Sequence, residues 1–103
     1  MIKTTLVVPV ADNDGSAFDR SAWRELESRL MQWGGLTRDS DVTGGWTDGD
    51  RTYRDRSRRY VVALASWWDL SAWLAVVDWA GRRFRQEAMF VEVAGIPEIR
   101  TVR

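Results

Sequence analysis

Gln86 and Glu87 are the residues best placed to do chemistry. They stand where a helical pattern gives way to a strand pattern, within Phe84-Arg85-Gln86-Glu87-Ala88-Met89-Phe90-Val91-Glu92-Val93. A join that short leaves its side chains little freedom. A carboxylate held half-buried at a sheet margin has a raised pKa and can serve as general base or anchor a ligand. Glu92 can take the same part if its strand turns it toward a cavity between subunits. A structural alternative stands beside this reading: Gln86 caps the helix end and Glu87 pairs with an arginine.

Two other segments carry chemistry-bearing patterns. Gly34-Gly35-Leu36-Thr37 and Gly44-Gly45-Trp46 are bracketed by glycine pairs. Such pairs bring backbone close to a ligand, or else stop a helix and weaken an edge strand; no phosphate-loop or dinucleotide pattern accompanies them. Trp46, on a polar edge strand, fits a rim or lid. Arg51-Thr52-Tyr53-Arg54-Asp55-Arg56-Ser57-Arg58-Arg59 holds five arginines in nine residues. That is the composition of an anion or nucleic-acid patch, although Asp50 and Asp55 dilute it and a solvated loop with local ion pairs has the same pattern. RNA-recognition modules stack bases on aromatics of their first and third strands. The first strand here has none, and Arg59-Tyr60-Val61-Val62-Ala63-Leu64 lacks the glycine-aromatic pattern, so nucleic-acid binding by that route is not expected.

Composition narrows the chemistry. The sequence has no cysteine and no histidine. Disulfides, thiol catalysis, zinc-thiolate sites and Ser-His-Asp triads within one chain are therefore out. Fifteen basic and fifteen acidic residues cancel, so no global charge drives binding to nucleic acid or membrane. Lys3 is the sole lysine, and the rest of the basic charge is arginine. Seven tryptophans are the outlier; they fit an aromatic core, or a subunit interface or cavity lining where amphipathic rings are favoured. The opening run Met1 to Val10 is too short for a secretory signal, and no apolar run approaches membrane-spanning length. No membrane association is expected, and a cytoplasmic protein is the default.

The 103 residues suit one domain. Thr4 to Val10 reads as a strand, and Asp12-Asn13-Asp14-Gly15-Ser16 as a turn. A helix is predicted over Arg20 to Trp33, capped by Asp19 or Ser21, with Ala22, Leu26, Leu30 and Trp33 on one face and Gly34-Gly35 as its stop. Asp41 to Thr47 reads as a polar edge strand, Asp48-Gly49-Asp50 as a turn, and Tyr60 to Ala65 as a strongly apolar strand after the charged approach. Ser66-Trp67-Trp68-Asp69 has capping-box spacing. The second helix is predicted from Asp69 to Arg85, with Leu70, Trp73, Leu74, Val77, Gly81 and Phe84 buried and Gly81 allowing close packing on the sheet. Ala88 to Ala94 is the fourth strand. Pro97 interrupts it, and Ile99 to Val102 can add a short edge strand.

The order is β-α-β-β-α-β, the ferredoxin-like arrangement: a four-stranded antiparallel sheet, first and third strands central, with two helices on one face. Two helices leave the other face open. Either Val7 and Pro9 or Leu6 and Val8 must point there, with one set from the third and fourth strands. So apolar a face requires a cover, and a second copy packed sheet to sheet as a two-fold homodimer is the simplest.

The series Trp23, Leu26, Gly35-Leu36-Thr37, Gly45-Trp46, Tyr53, Asp55-Arg56-Ser57 and Phe84-Arg85-Gln86-Glu87-Ala88 resembles a family of small uncharacterised bacterial proteins with a domain of unknown function. Its pattern is G-L-T, then G-x-W, an acid-x-S, and F-x-Q-E-S/A-V, and the likeness spans roughly residues 20 to 93. Members often carry an export signal or lipoprotein anchor, which the first residues here do not match. The resemblance implies a ferredoxin-like domain and no particular activity. It also implies that Thr37, Trp46, Asp55, Gln86 and Glu87 belong to one constellation, where a network with Arg85 can bind a small polar ligand or act as a hydrogen-bonded latch.

The leading expectation is a homodimeric binding or interaction module without cofactor or metal. The runner-up is a small cofactor-free enzyme of isomerase or oxygenase type, using Glu87 or Asp55 for proton transfer, with Thr37, Trp46, Gln86 and Arg85 binding its ligand.

Overall fold

The computed structural model describes the backbone of residues 1–103, and the side chains of all of them except Asp41, Trp46, Asp48 and Tyr53. The elements run β1 (Ile2–Pro9), α1 (Arg20–Leu30), β2 (Thr37–Asp48), β3 (Arg51–Leu64), α2 (Leu70–Arg83), β4 (Ala88–Val93) and β5 (Ile96–Thr101). Single 3-10 turns at Met31–Trp33 and Trp67–Asp69 extend α1 and lead into α2. Asp19 caps α1: its carboxylate accepts from the backbone N–H of Ala22 at 3.0 Å and from the Ser21 hydroxyl at 2.6 Å. Gly34 ends the following turn at φ 101°, a conformation that favours glycine. The capping-box spacing of Ser66 and Asp69 goes unused, for neither side chain caps its helix.

The strands lie in the order β2-β3-β1-β4-β5, antiparallel throughout. With two helices on one face, the first four strands form the ferredoxin-like arrangement. Two expectations are corrected. The sheet has five strands, not four. Pro97 does not end it; Pro97 stands opposite Glu92 inside β5, and an edge strand tolerates the missing N–H. Secondly, Arg51 to Arg59 is not a loop. It is the first part of β3, paired with β2 from Asp48↔Arg51 inward. Strand β1 pairs only as far as Pro9↔Ser57, with one further bond from Val10 N–H to the Arg56 carbonyl at 3.0 Å, so the hairpin from Gly44 to Asp55 runs on beyond the rest of the sheet.

Alternation in the strands and helical periodicity meet in one core. Leu6, Val8, Tyr60, Val62, Leu64, Met89 and Val91 from the sheet pack with Ala22, Trp23, Leu26 and Leu30 from α1 and Trp73, Val77, Ala80 and Phe84 from α2. Phe18, Trp23 and Phe84 form an aromatic cluster, with centroids 5.0 Å apart for Phe18–Phe84 and 4.6 Å for Trp23–Phe84. Gly81 does allow a close approach, but to the chain's end: an added Cβ would lie 2.8 Å from Cγ1 of Val102. Thr4, buried on β1, satisfies its hydroxyl by donating to the carbonyl of Val62 at 2.7 Å. The tryptophans divide between roles: Trp23 and Trp73 are buried, Trp33 and Trp79 pack partly against the core, and Trp67 and Trp68 are exposed.

Val7 and Pro9, not Leu6 and Val8, point to the open face. Register arranges that face in rows, because directly opposed residues of antiparallel strands share a side. One row reads Ile99, Phe90, Val7, Arg59, Asp39 and the next Pro97, Glu92, Thr5, Val61, Thr37. The half toward β5 is thus apolar with one acid, while the half toward β2 carries the Arg59–Asp39 ion pair, with Nε 3.1 Å from Oδ2.

Candidate functional site

The join between α2 and β4 is a backbone device. Gln86 N–H donates to the carbonyl of Gly81 at 2.8 Å and Arg85 N–H to that of Arg82 at 3.2 Å. These are the paired bonds of a Schellman helix stop, in which the residue after the cap is left-handed. That residue is Arg85, at φ 52°, where glycine would be the unstrained choice. The Gln86 side chain closes the same turn by donating to the carbonyl of Phe84 at 2.9 Å. Gln86 is therefore the expected structural tie.

From its strained position Arg85 reaches the loop after β1. Its guanidinium lies 2.7 Å from Asp12 Oδ2 and 5.5 Å from the centroid of Phe18. Asp12 in turn organises its loop, Oδ1 accepting from the backbone N–H groups of Asp14 and Ser16 at 2.9 and 3.0 Å. Beside this junction lies a cleft of about 640 Å³ lined by Pro9, Asp12, Arg54, Asp55, Arg56 and Gln86, among others. A second cleft, of about 600 Å³, lies on the open sheet face between the hairpin and β4. Val7, Val61 and Phe90 give it apolar contacts, and Thr5, Ser57, Arg59, Glu92 and Lys3 supply polar groups. Asp55 borders both clefts.

The candidate residues are therefore divided. Gln86 and Asp55 line the first cleft, with Arg85 behind its Asp12 wall. Glu87 is exposed rather than half-buried and borders neither cleft; its backbone carbonyl accepts from Val102 N–H at 2.9 Å. Thr37 stands opposite Val61, whereas Asp55 stands opposite Gly44. Six residues along a strand is roughly 20 Å, so Thr37 is remote from Asp55; it stands beside Val61 at the far end of the second cleft and lines neither cleft. Trp46 is paired with Tyr53 in the hairpin backbone, and its side chain lies outside the described residues. Glu92 does face the open-sheet cleft. Asp12, which the sequence presents as a turn residue, walls the first cleft. Only register shows that Phe90, and Arg59 from the arginine-rich segment, flank Val7 at the second.

Among the described residues, no group of three or more His, Cys, Asp or Glu is placed to hold a metal ion, and no helix is long and apolar enough to cross a membrane.

No family model and no curated protein matches the chain in sequence. Solved structures do match in shape. A phage SAM lyase in complex with S-methyl-5'-thioadenosine superposes with a TM-score of 0.74 at 15% identity, covering 97% of this chain and 88% of that one. A phage SAM lyase in the apo state gives 0.70 at 15% identity, with 94% and 83% covered. A divalent cation tolerance protein, Cut A1 from Thermus thermophilus, gives 0.55 at 11% identity, with 100% and 84% covered. At these identities the shared property is the fold.

Proposed function

We propose that this protein is a self-associating module that binds a small polar ligand on its open sheet face. The observation that carries the reading is the open-face cleft: an apolar strip of Val7, Val61 and Phe90 bordered by groups of both charges, Lys3 and Arg59 against Glu92 and Asp55. Pockets that combine apolar surface with a few placed polar groups are the usual form of small-molecule sites. A face carrying both signs is also able to complement a second copy of itself about a two-fold axis. A homodimer so formed would cover Phe90 and Ile99 and enclose the ligand. The likeness in fold to a SAM lyase bound to S-methyl-5'-thioadenosine makes that nucleoside the first probe.

Light scattering at micromolar concentration is expected to give a dimer, and Phe90→Glu a folded monomer, because Phe90 lies outside the buried core. Titration with S-methyl-5'-thioadenosine is expected to show binding that Phe90→Glu abolishes. A wild-type monomer with no binding at millimolar nucleoside would overturn the reading.

A second reading is a cofactor-free enzyme acting through a carboxylate, favoured by the same likeness to a SAM lyase. Asp55, bordering both clefts, is better placed for this than Glu87. Its test is the disappearance of S-adenosylmethionine over time, expected to stop in Asp55→Asn.

A further inference from the structure

On the helical side of the sheet, remote from the open face, the structure assigns a second binding site: a phosphoryl-group site formed by Arg20, Arg24, Arg38 and Arg58 around Trp23. Alternation along β3 creates it. Arg59 turns to the open face and pairs with Asp39, whereas Arg58 turns to the helices and lays its guanidinium 4.1 Å from the centroid of the Trp23 ring. Arg38 arrives from β2, and Arg20 and Arg24 stand one turn apart on α1. Together they line a depression of about 170 Å³ whose only carboxylate is Glu27.

Glu27 is already engaged. It accepts from Arg38 Nη1 at 2.9 and 3.2 Å, from Arg58 Nη1 at 3.5 Å, and from the hydroxyl of buried Tyr60 at 2.7 Å. Its role is to fix two guanidiniums in place rather than to neutralise four. Arg20 and Arg24 have no carboxylate within ion-pair distance among the described residues, so the depression keeps a surplus of positive charge. Guanidiniums held rigidly with free N–H groups suit the tetrahedral oxygens of a phosphoryl group. About 170 Å³ is the room of roughly five or six waters, enough to seat a phosphoryl or pyrophosphoryl group while the rest of an ester stays outside the open depression. The ligand class is a small phosphate ester or inorganic phosphate docked by its phosphoryl end, and the site is independent of the open-face cleft.

Calorimetric titration of the full chain at low salt with inorganic pyrophosphate tests this. Binding is expected, and Arg24→Glu and Arg38→Ala, each checked for fold by circular dichroism, are each expected to weaken it about tenfold or more by removing a charge-assisted contact. Arg51→Glu, at the hairpin, is expected to leave it unchanged. No binding at millimolar pyrophosphate, or an equal loss in Arg51→Glu, would overturn the proposal. So would a labelled RNA that binds far more tightly than pyrophosphate and is released by Arg24→Glu, since the site would then serve a nucleic-acid backbone.

Discussion

Tyr60 donates its hydroxyl to Glu27 Oε2 at 2.7 Å, joining a fully buried ring on β3 to a half-buried carboxylate on α1. Burial, and next the bond to Glu27, push the Tyr60 pKa above its ordinary 10.0. The neutral phenol is thus the form the fold favours. Its stabilisation is complete below pH 10 and is lost as pH rises toward the folded value. Tyr60→Phe is expected to cost about 1 kcal/mol in urea unfolding, the net worth of a hydrogen bond to a partly exposed charged group. In ultraviolet titration the native chain is expected to keep one tyrosine un-ionised at pH 11, and Tyr60→Phe to remove that signal. Full ionisation of both tyrosines by pH 11 in the folded chain would refute this account of the pair.

Arg85 sets backbone strain against side-chain contacts. A left-handed residue with a Cβ costs roughly 1 kcal/mol relative to glycine. The ion pair to Asp12 and the contact over Phe18 are made by an exposed guanidinium and are together worth about 1 kcal/mol or less. The two nearly cancel. Arg85→Gly is expected to leave the urea midpoint almost unchanged, whereas Arg85→Ala, which keeps the strain and loses the contacts, is expected to lower stability by about 1 kcal/mol. Equal destabilisation by both would show that the contacts dominate.

The elements that were legible in the sequence are those with an apolar period. Leu6 and Val8 on β1 and Leu26 and Leu30 on α1 announce their strand and helix, and of the two cap candidates, Asp19 and Ser21, the fold uses Asp19. Arg51 to Arg59 did not announce a strand, because its alternation sorts arginines between two faces rather than apolar from polar residues. Which face takes Arg58 and which Arg59 is decided by the β1–β3 register, set by residues far along the chain. The Gln86-Glu87 join was legible as a short connection. Its mechanism was not, since it rests on backbone bonds to Gly81 and Arg82 and on a left-handed arginine that propensity argues against. Thr37 illustrates the limit of motif reasoning: adjacency in a pattern did not translate into adjacency on the strand.

Asp78 and Asp19 predict the acid limb of stability. The Asp78 carboxylate accepts from Arg100 Nε and Nη2, both at 2.9 Å, and this bond, ahead of the general attraction of Arg100, holds its pKa below 3.8. The Ser21 hydroxyl and then the Ala22 N–H do the same for Asp19. A depressed carboxylate contributes stability that is present above its unfolded pKa and lost as pH falls through the folded one. Urea midpoints are therefore expected to hold from pH 7 to about 4 and fall below it. The gap between wild type and Asp78→Asn is expected to narrow as pH drops under 3.8. A gap that stays constant down to pH 2.5 would mean the carboxylate's charge contributes nothing.

Gly81 and Val102 show how the chain's last residues are held. The end of β5 is held to α2 by the Arg100–Asp78 pair, and the residues after it by a bond from Arg82 to the carbonyl of Arg103 and by Val102 N–H donating to the Glu87 carbonyl just before β4. Val102 fits because Gly81 has no Cβ; one added there would crowd both γ-carbons and lie 3.1 Å from Val102 Cβ. Gly81 is helical, with φ outside the left-handed region, so alanine brings a helix-propensity gain of about 1 kcal/mol. Overpacking costs about 1–3 kcal/mol. Gly81→Ala is expected to be destabilising on balance, read as a lower urea midpoint. Val102→Ala removes both γ-carbons and lets the new methyl in, so the double variant Gly81→Ala/Val102→Ala is expected to be more stable than the sum of the single changes allows, with a coupling of about 1 kcal/mol or more. Strict additivity in that double-mutant cycle would mean that Gly81 is not kept free for Val102.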